Sequence, residues 1–555
     1  MNRKLVLIIL SAILILAGVL RIWQLGDIPP SPDWDEAALA YNAYSIIQTG
    51  KDEYGKFLPV VLRSFDDYKP ALYTYLTIPS VLIFGLNTFA VRFPSAIFGI
   101  ISVIAVYFLV KELLRTSLEI GNWKLEITAL ISAMLMAISP WSLQFSRVGF
   151  EANVGAVLNI LTVLFFIKGL QKPKFLMLAA SFAAFSIYAY QSEKVFTPLL
   201  VLALILIYRK KLFSISKKYL SSSFLLGLLL VFPMVFYIFT NSAALLRVTG
   251  TSIFSYQTEL LKNNIQRLEE DKARNDKLGL ILDNRRIVYA KTMVSGYISH
   301  FDPNWLFLKG DIARHHAPNM GMLYLFELPL ILIGIYFLLF GKIDVKTKLI
   351  LFSWVLLAPL PASVTTEVPH AVRTLNFLPT WQIIAALGAL NLLIWSKGKD
   401  LRKIPYLLFT GAFALLAMFN FMFYLNQYFA QQNYYSSFYW QYGYKEAVDI
   451  AMALDTKYDK IIVSDDQPMD KSYMFFLFYL KYPPEQYQKI GQNSAGGYAA
   501  HHSFGKYEFR PIDWSSDSKM PNTLLIGNTD EIPSGTEIKT IYNLDGTPVI
   551  RVAGT

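Results

Sequence analysis

The chain has 555 residues, of which 54% are hydrophobic and 16% charged, with a mean hydropathy of +0.38. That is too apolar for a soluble protein of this size and fits a polytopic helical membrane protein, in which a net charge of +11 marks cytoplasmic loops rather than nucleic-acid binding. Cysteine is absent, so disulfides and thiolate metal sites are excluded.

The N-terminus reads Met-Asn-Arg-Lys, followed by an apolar run from Leu5 to Leu20. The run is long for a signal peptide and has no small-x-small cleavage site before Arg21-Ile22-Trp23, so it is expected to be a retained first span with Arg3 and Lys4 inside. A polar loop from Gly26 to about Pro70 follows. Within it Glu36–Gln48 has helical character, with Asp35 as the expected N-cap. Ala71–Leu86 is apolar but short and contains Pro79. A spanning helix needs about 20 apolar residues, so this piece is expected to be re-entrant or to lie at the interface.

Further spans are expected at Phe93–Val110, Ile127–Pro140, Val154–Ile167, Phe175–Tyr190, Phe196–Tyr208, Leu220–Phe239, Met322–Phe340, Leu349–Ser363, Leu375–Trp395 and Ile404–Leu425, for a total of about 11. Alternate loops are basic: Lys111 and Arg115; Lys168, Lys172 and Lys174; Arg209 through Lys218; Lys342, Lys346 and Lys348; Lys397, Lys399, Arg402 and Lys403. By the positive-inside rule these loops face the cytoplasm, which puts the first loop (26–90), the large 241–320 loop and the C-terminus outside. Leu260–Lys277 is charged and reads as a surface helix. Near Asn426 hydropathy falls, which divides the chain into a membrane module, 1–425, and a small C-terminal α/β domain, 426–555. In the latter, Lys460–Ser464 and Thr523–Gly527 read as buried strands, Met469–Tyr482 as a helix, and Asp545-Gly546 as a hairpin turn.

Charged residues gather at the external helix ends: Asp33, Asp35, Glu36 and Lys69; Arg147 and Glu151; Glu193 and Lys194; His370 and Arg373. Carboxylates among several cations suit an anionic ligand together with a general base. Arg offers a two-pronged fork for phosphate, and a carboxylate beside that phosphate can take a proton from an attacking hydroxyl. Asp33-x-Asp35 also invites a divalent cation. The adjacent pairs His315-His316 and His501-His502 do not, because neighbouring side chains diverge on a strand and lie about 100° apart on a helix.

Ser31-Pro-Asp-Trp-Asp-Glu-Ala-Ala-Leu-Ala-Tyr, Asp67-Tyr-Lys-Pro-Ala-Leu-Tyr and Ala90-Val-Arg-Phe-Pro-Ser-Ala together resemble the first external loop of the GT-C glycosyltransferases. The nearest groups are the protein O-mannosyltransferases and the lipid A aminoarabinose transferases. The resemblance covers about 30–170 well and implies a GT-C fold with an extracytoplasmic site. It also implies a polyprenyl-phosphate-linked sugar donor, a protein, lipid or glycan acceptor, and membrane lipid as surroundings. Asp35 is then the catalytic carboxylate and Lys69 a donor-phosphate contact, with His370 and Arg373 as substrate-binding residues; the charge cluster adds Glu36, Arg147 and Glu151 as expected substrate-binding residues. His370-Ala-Val-Arg373 resembles the family's late His/Arg segment, where the Arg meets phosphate. Tyr68 stands where the lipid A enzyme has a metal-binding Glu, so that metal site is not carried over. A transporter or flippase of lipid-linked sugars is the rival reading and an envelope-assembly scaffold a third. The transporter reading sits less well with charges clustered at one face and with the absence of a visible repeat.

Overall fold

The computed structural model describes residues 2–65, 67–115, 121–241, 250–254, 257–397, 403–491 and 502–555. Lys399 and Arg402 of the basic loops and His501 of the second histidine pair lie outside the described residues. By its contacts the chain divides into two units. One holds Met1–Ala17, Gly99–Leu143 and Ala152–Met422; the other holds Gly18–Phe98, Gln144–Glu151 and Phe423–Thr555.

The first ten helices are Arg3–Ile22 (α1), Trp34–Thr49 (α2), Leu72–Phe84 (α3), Thr88–Leu114 (α4), Asn122–Ile138 (α5), Pro140–Ser146 (α6), Glu151–Gly169 (α7), Phe175–Ile187 (α8), Glu193–Leu212 (α9) and Lys217–Thr240 (α10). Among the described residues, six helices are long and apolar enough to cross a bilayer: α1, α4, α7, α10, Val345–Ser363 and Leu375–Ile394. A seventh is added if α5 and α6, bent by 55° at Ser139, form one broken span. The chain is thus a multi-pass helical membrane protein. The 13-residue α3 and α8 are shorter. At 1.5 Å per residue each reaches about 20 Å, against roughly 30 Å of hydrocarbon.

In the first unit, α7 is 83% buried over its apolar window and α10 only 11%, so α7 is a core helix and α10 turns its Phe and Leu side chains outward. Two glycines allow helices Glu327–Phe340 and Thr380–Lys397 to touch along their backbones. A Cβ on Gly334 would meet the Ile384 carbonyl oxygen at 2.0 Å, and one on Gly388 would meet that of Leu330 at 1.9 Å. Small residues at such crossings replace the hydrophobic drive that lipid cannot supply. The charged loop contains the helices Gln257–Ala273, Lys277–Leu282 and Arg285–Ser299.

In the second unit, α2 is followed by a hairpin, Val61–Ser64 (β1) with Asp67–Pro70 (β2), in which Leu62 faces Lys69 and Arg63 faces Tyr68. Six strands form a mixed sheet: Lys460–Val463 (β3), His502–Phe504 (β4), Tyr507–Phe509 (β5), Thr523–Asn528 (β6), Lys539–Tyr542 (β7) and Pro548–Gly554 (β8), in the order β4-β5-β3-β6-β8-β7. β3 runs parallel to both β5 and β6, and β7 pairs with β8 as a hairpin. Every residue of β6 is buried, which explains its unbroken apolar run. Ile462, Ile512, Leu525, Ile532 and Ala553 form the core under it. The tail packs on α2 in three places. Tyr41 donates to the Tyr482 carbonyl at 3.0 Å, and Gln488 Nε2 donates to Ser45 Oγ, Thr49 Oγ1 and the Asp52 carbonyl at 2.9–3.0 Å. The Lys471 ammonium sits 4.0 Å above the Trp34 ring.

Candidate active site

Helix α2 begins two residues earlier than expected, and this changes the role of each acid. Asp33, not Asp35, is the N-cap. Its Oδ1 accepts the Glu36 N–H at 2.8 Å while Glu36 Oε2 accepts the Asp33 N–H at 3.2 Å, which makes a capping box. The cap must reach the third helical amide, and only Asp33 stands three residues before an acid that can reciprocate. Asp33 is fully buried in that role. The cap engages Oδ1 of Asp33.

Asp35 sits inside the first turn. It pairs with the Lys69 ammonium, which β2 brings across 34 residues of chain. The Asp35 side chain keeps 27% exposure while that of Lys69 keeps 5%. A ligand can therefore reach the carboxylate, while the cation approaches it from the protein side. Lys69 also lies 5.9 Å from the centre of the Phe65 ring. Phe65 closes the hairpin at φ +59°, a left-handed conformation that costs a non-glycine residue about 1–2 kcal/mol.

Glu36 has a different place. Arg92 Nε and Nη2 hold its two oxygens at 2.8 and 2.9 Å, and the Gly149 N–H donates to Oε1 at 2.7 Å. The pair has no exposed side-chain surface. The rest of the Arg92 guanidinium binds the carbonyls of Leu25, Pro29 and Ser31 at 2.7–3.1 Å. Arg147 is equally enclosed: it donates to the Leu20, Gln24 and Ile28 carbonyls at 2.8–3.3 Å, ending α1, and stacks on Tyr428 and Phe429. Glu36 and Arg147, both expected as substrate contacts, are thus buried against protein partners. Glu151 is buried in the first turn of α7, where the helix dipole favours an anion.

Beside α2, Glu53 is buried and exchanges hydrogen bonds with Asn42 at 3.0–3.1 Å; burial pushes its carboxyl up to about 8. The same unit has a cavity of about 480 Å³ lined by Asp27, Ser31, Asn87, Lys445, Glu446 and Tyr479 among others. That volume lies in the usual range for small-ligand sites.

In the other unit, Arg373 Nη1 donates to Thr365 Oγ1 and the Thr366 carbonyl at 2.7 Å, and Nη2 lies 4.0 Å from Glu367. His370 is held by its own N–H, which donates to His300 Nε2 at 3.1 Å, and its Nδ1 accepts the Arg373 N–H at 3.4 Å. Its ring is 5.0 Å from that of His315, whose Nδ1 is 2.9 Å from Asp311 Oδ2. Burial keeps His300, at about 4, His315 and His370 below the ordinary imidazole value. Burial would raise Asp311, but the His315 hydrogen bond and the nearby His370 pull it down to about 2. Glu193 is buried and accepts from Asn159 and Asn376 at 2.5 and 2.7 Å.

The residues whose part was not foreseen are Arg92 and the Asp311–His315 pair. An Arg inside an otherwise apolar helix start was the available signal for Arg92. For Asp311 and His315 the i, i+4 spacing was available, but their link to His370 crosses more than 50 residues.

Residues 68–237 match the family described as dolichyl-phosphate-mannose-protein mannosyltransferase. In fold the chain is similar to ArnT from Cupriavidus metallidurans bound to undecaprenyl phosphate, at 11% identity and a TM-score of 0.54, with 100% of both chains covered. The apo form of that protein gives 10% and 0.53. The archaeal oligosaccharyltransferase AglB from Archaeoglobus fulgidus, in complex with an inhibitory peptide and a dolichol-phosphate, gives 13% and 0.50, with 85% of this chain covered. The chain spans 63% of the length of AglB. No curated protein matches it. The resemblance to GT-C glycosyltransferases of the mannosyltransferase and ArnT type, read from the first loop, is borne out in a family match and in fold.

Proposed function

We propose that the protein is an inverting, membrane-bound glycosyltransferase that moves a sugar from a polyprenyl-phosphate donor to an acceptor hydroxyl on a protein, lipid or glycan. Asp35 takes the hydroxyl proton, the acceptor oxygen bonds to the anomeric carbon, and the bond from that carbon to the donor phosphate breaks. Polyprenyl phosphate leaves with the electron pair, and Lys69 neutralises its growing charge. In the other unit, Arg373 and His370 are a separate candidate contact for an anionic group. The reading includes about 11 spans, a cytoplasmic N-terminus, and an extracytoplasmic face carrying the first loop and the 426–555 domain.

The observation that supports it most is the Asp35–Lys69 pair, in which a partly exposed carboxylate and a nearly buried ammonium meet at the head of the first loop helix. In the free protein the two neutralise each other. A bound phosphate would draw the ammonium and leave the carboxylate to act as base. The test is donor-analogue binding and turnover on purified, monodisperse variants. Asp35→Asn lowers kcat by about 10²–10⁴-fold with little change in donor Kd. Lys69→Ala weakens donor binding and slows turnover as well. An unchanged donor Kd in Lys69→Ala, or unchanged turnover in Asp35→Asn, would overturn the assignment.

A further inference from the structure

We propose that Asp311, His315 and His370 form a binding site for one divalent transition-metal ion of the zinc class, which ties the 300–316 stretch to the 364–373 loop. Each residue offers a ligand atom, and the three atoms lie within 4.8 Å of one another. An ion held at about 2.0–2.2 Å by each donor sets donor–donor separations near 3.3 Å, so modest side-chain rotation closes the site. Asp311 and His315 already stand 2.9 Å apart.

Two features separate this cluster from a chance meeting of polar groups. The set is two imidazoles and one carboxylate, the nitrogen and oxygen donors that suit Zn²⁺ and its neighbours and that Ca²⁺ or Mg²⁺ would not select. Backbone hydrogen bonds fix the geometry of the cluster from outside. The Ala371 N–H donates to Asp311 Oδ2 at 2.6 Å, and the His370 N–H donates to His300 Nε2, whose ring is in turn anchored on the Gly296 carbonyl at 2.7 Å. Such outer partners orient metal ligands. The neighbouring His316 does not share the site; its Nδ1 lies 2.7 Å from the Ala317 carbonyl. Three protein ligands leave a fourth position for water or for an oxygen of an anionic ligand.

The test uses the full chain, purified in detergent without a polyhistidine tag and stripped with a chelator. Co²⁺ is titrated and followed by its visible ligand-field absorption, Zn²⁺ is added in competition, and metal content is measured. The wild type takes up one ion per chain, and Zn²⁺ displaces Co²⁺. Asp311→Asn and His315→Gln lose at least the roughly 10–100-fold in affinity that removal of an outer partner alone produces. His316→Gln binds as the wild type does. Added Zn²⁺ raises the Tm of the wild type and not that of His315→Gln. A wild-type chain that takes up neither ion, or ligand variants that bind both as the wild type does, overturns the proposal. The wild-type titration decides even if a variant misfolds, and its result is independent of any sugar transfer.

Discussion

Glu36→Gln is the sharpest probe of what holds the first loop. Four donor contacts converge on its carboxylate, at 2.7, 2.8, 2.9 and 3.2 Å, from Gly149, Arg92 twice and Asp33. The glutamine keeps an acceptor for Gly149 and Arg92 Nε. Its amide nitrogen then faces Arg92 Nη2 and the Asp33 N–H, so two attractive contacts become donor against donor. A fully buried guanidinium also loses its counter-ion. Breaking a buried pair from one side costs about 3–5 kcal/mol. Arg92→Met should cost a similar amount, because it leaves the carboxylate buried and frees the carbonyls of Leu25, Pro29 and Ser31. The double variant removes both charges, so its loss should fall short of the sum of the singles by about 0.5–3 kcal/mol. Equilibrium unfolding in mixed detergent micelles, run as a double-mutant cycle, measures this. Single variants within about 0.5 kcal/mol of the wild type, or strict additivity, would refute the reasoning.

Other outcomes follow from neighbouring groups. Glu53 has its carboxyl raised from 4.5 to about 8 by burial, so ionisation is disfavoured in the fold. Stability is then full below about 4.5 and declines as pH rises through about 8, and Glu53→Gln flattens this fall in Tm between about pH 5 and pH 9. Arg147→Met removes the side-chain donor to the Leu20 and Ile28 carbonyls, while Gln24 keeps the backbone N–H groups of Asp27 and Ile28, and should cost about 2 kcal/mol or more by the same unfolding assay. Gln488→Ala removes three hydrogen bonds to the α2 end and should cost about 1–3 kcal/mol, read as faster hydrogen exchange across 45–53.

The long apolar runs were legible because a bilayer imposes length and composition directly. α1, α4, α7 and α10 lie where the hydropathy places them, as do β3, β6 and the β7–β8 hairpin in the tail. What could not be read were choices between neighbours. Asp33 and Asp35 are chemically identical, and only the reach of the cap to Glu36 separates a structural carboxylate from an available one. Glu36 and Arg147 carried charge at the expected places, yet their partners are an Arg 56 residues away and a set of backbone carbonyls, neither of which a linear pattern encodes. β4 and β5, three residues each, are too short to announce themselves. His315 meets His370 only through the folding of two loops.

The hairpin that carries Lys69 gives its position a parity. Side chains alternate along β2, so Tyr68 and Pro70 point opposite to Lys69, and the register that sets Leu62 against Lys69 decides which face the ammonium takes. Inserting or deleting a single residue in β1 would leave every amino acid of the proposed site in the chain and turn the ammonium to the wrong side of a four-residue strand. The site is therefore far more tolerant of altered side chains around it than of an altered count along it. Length changes between Val61 and Pro70 should be selected against as severely as loss of the lysine itself.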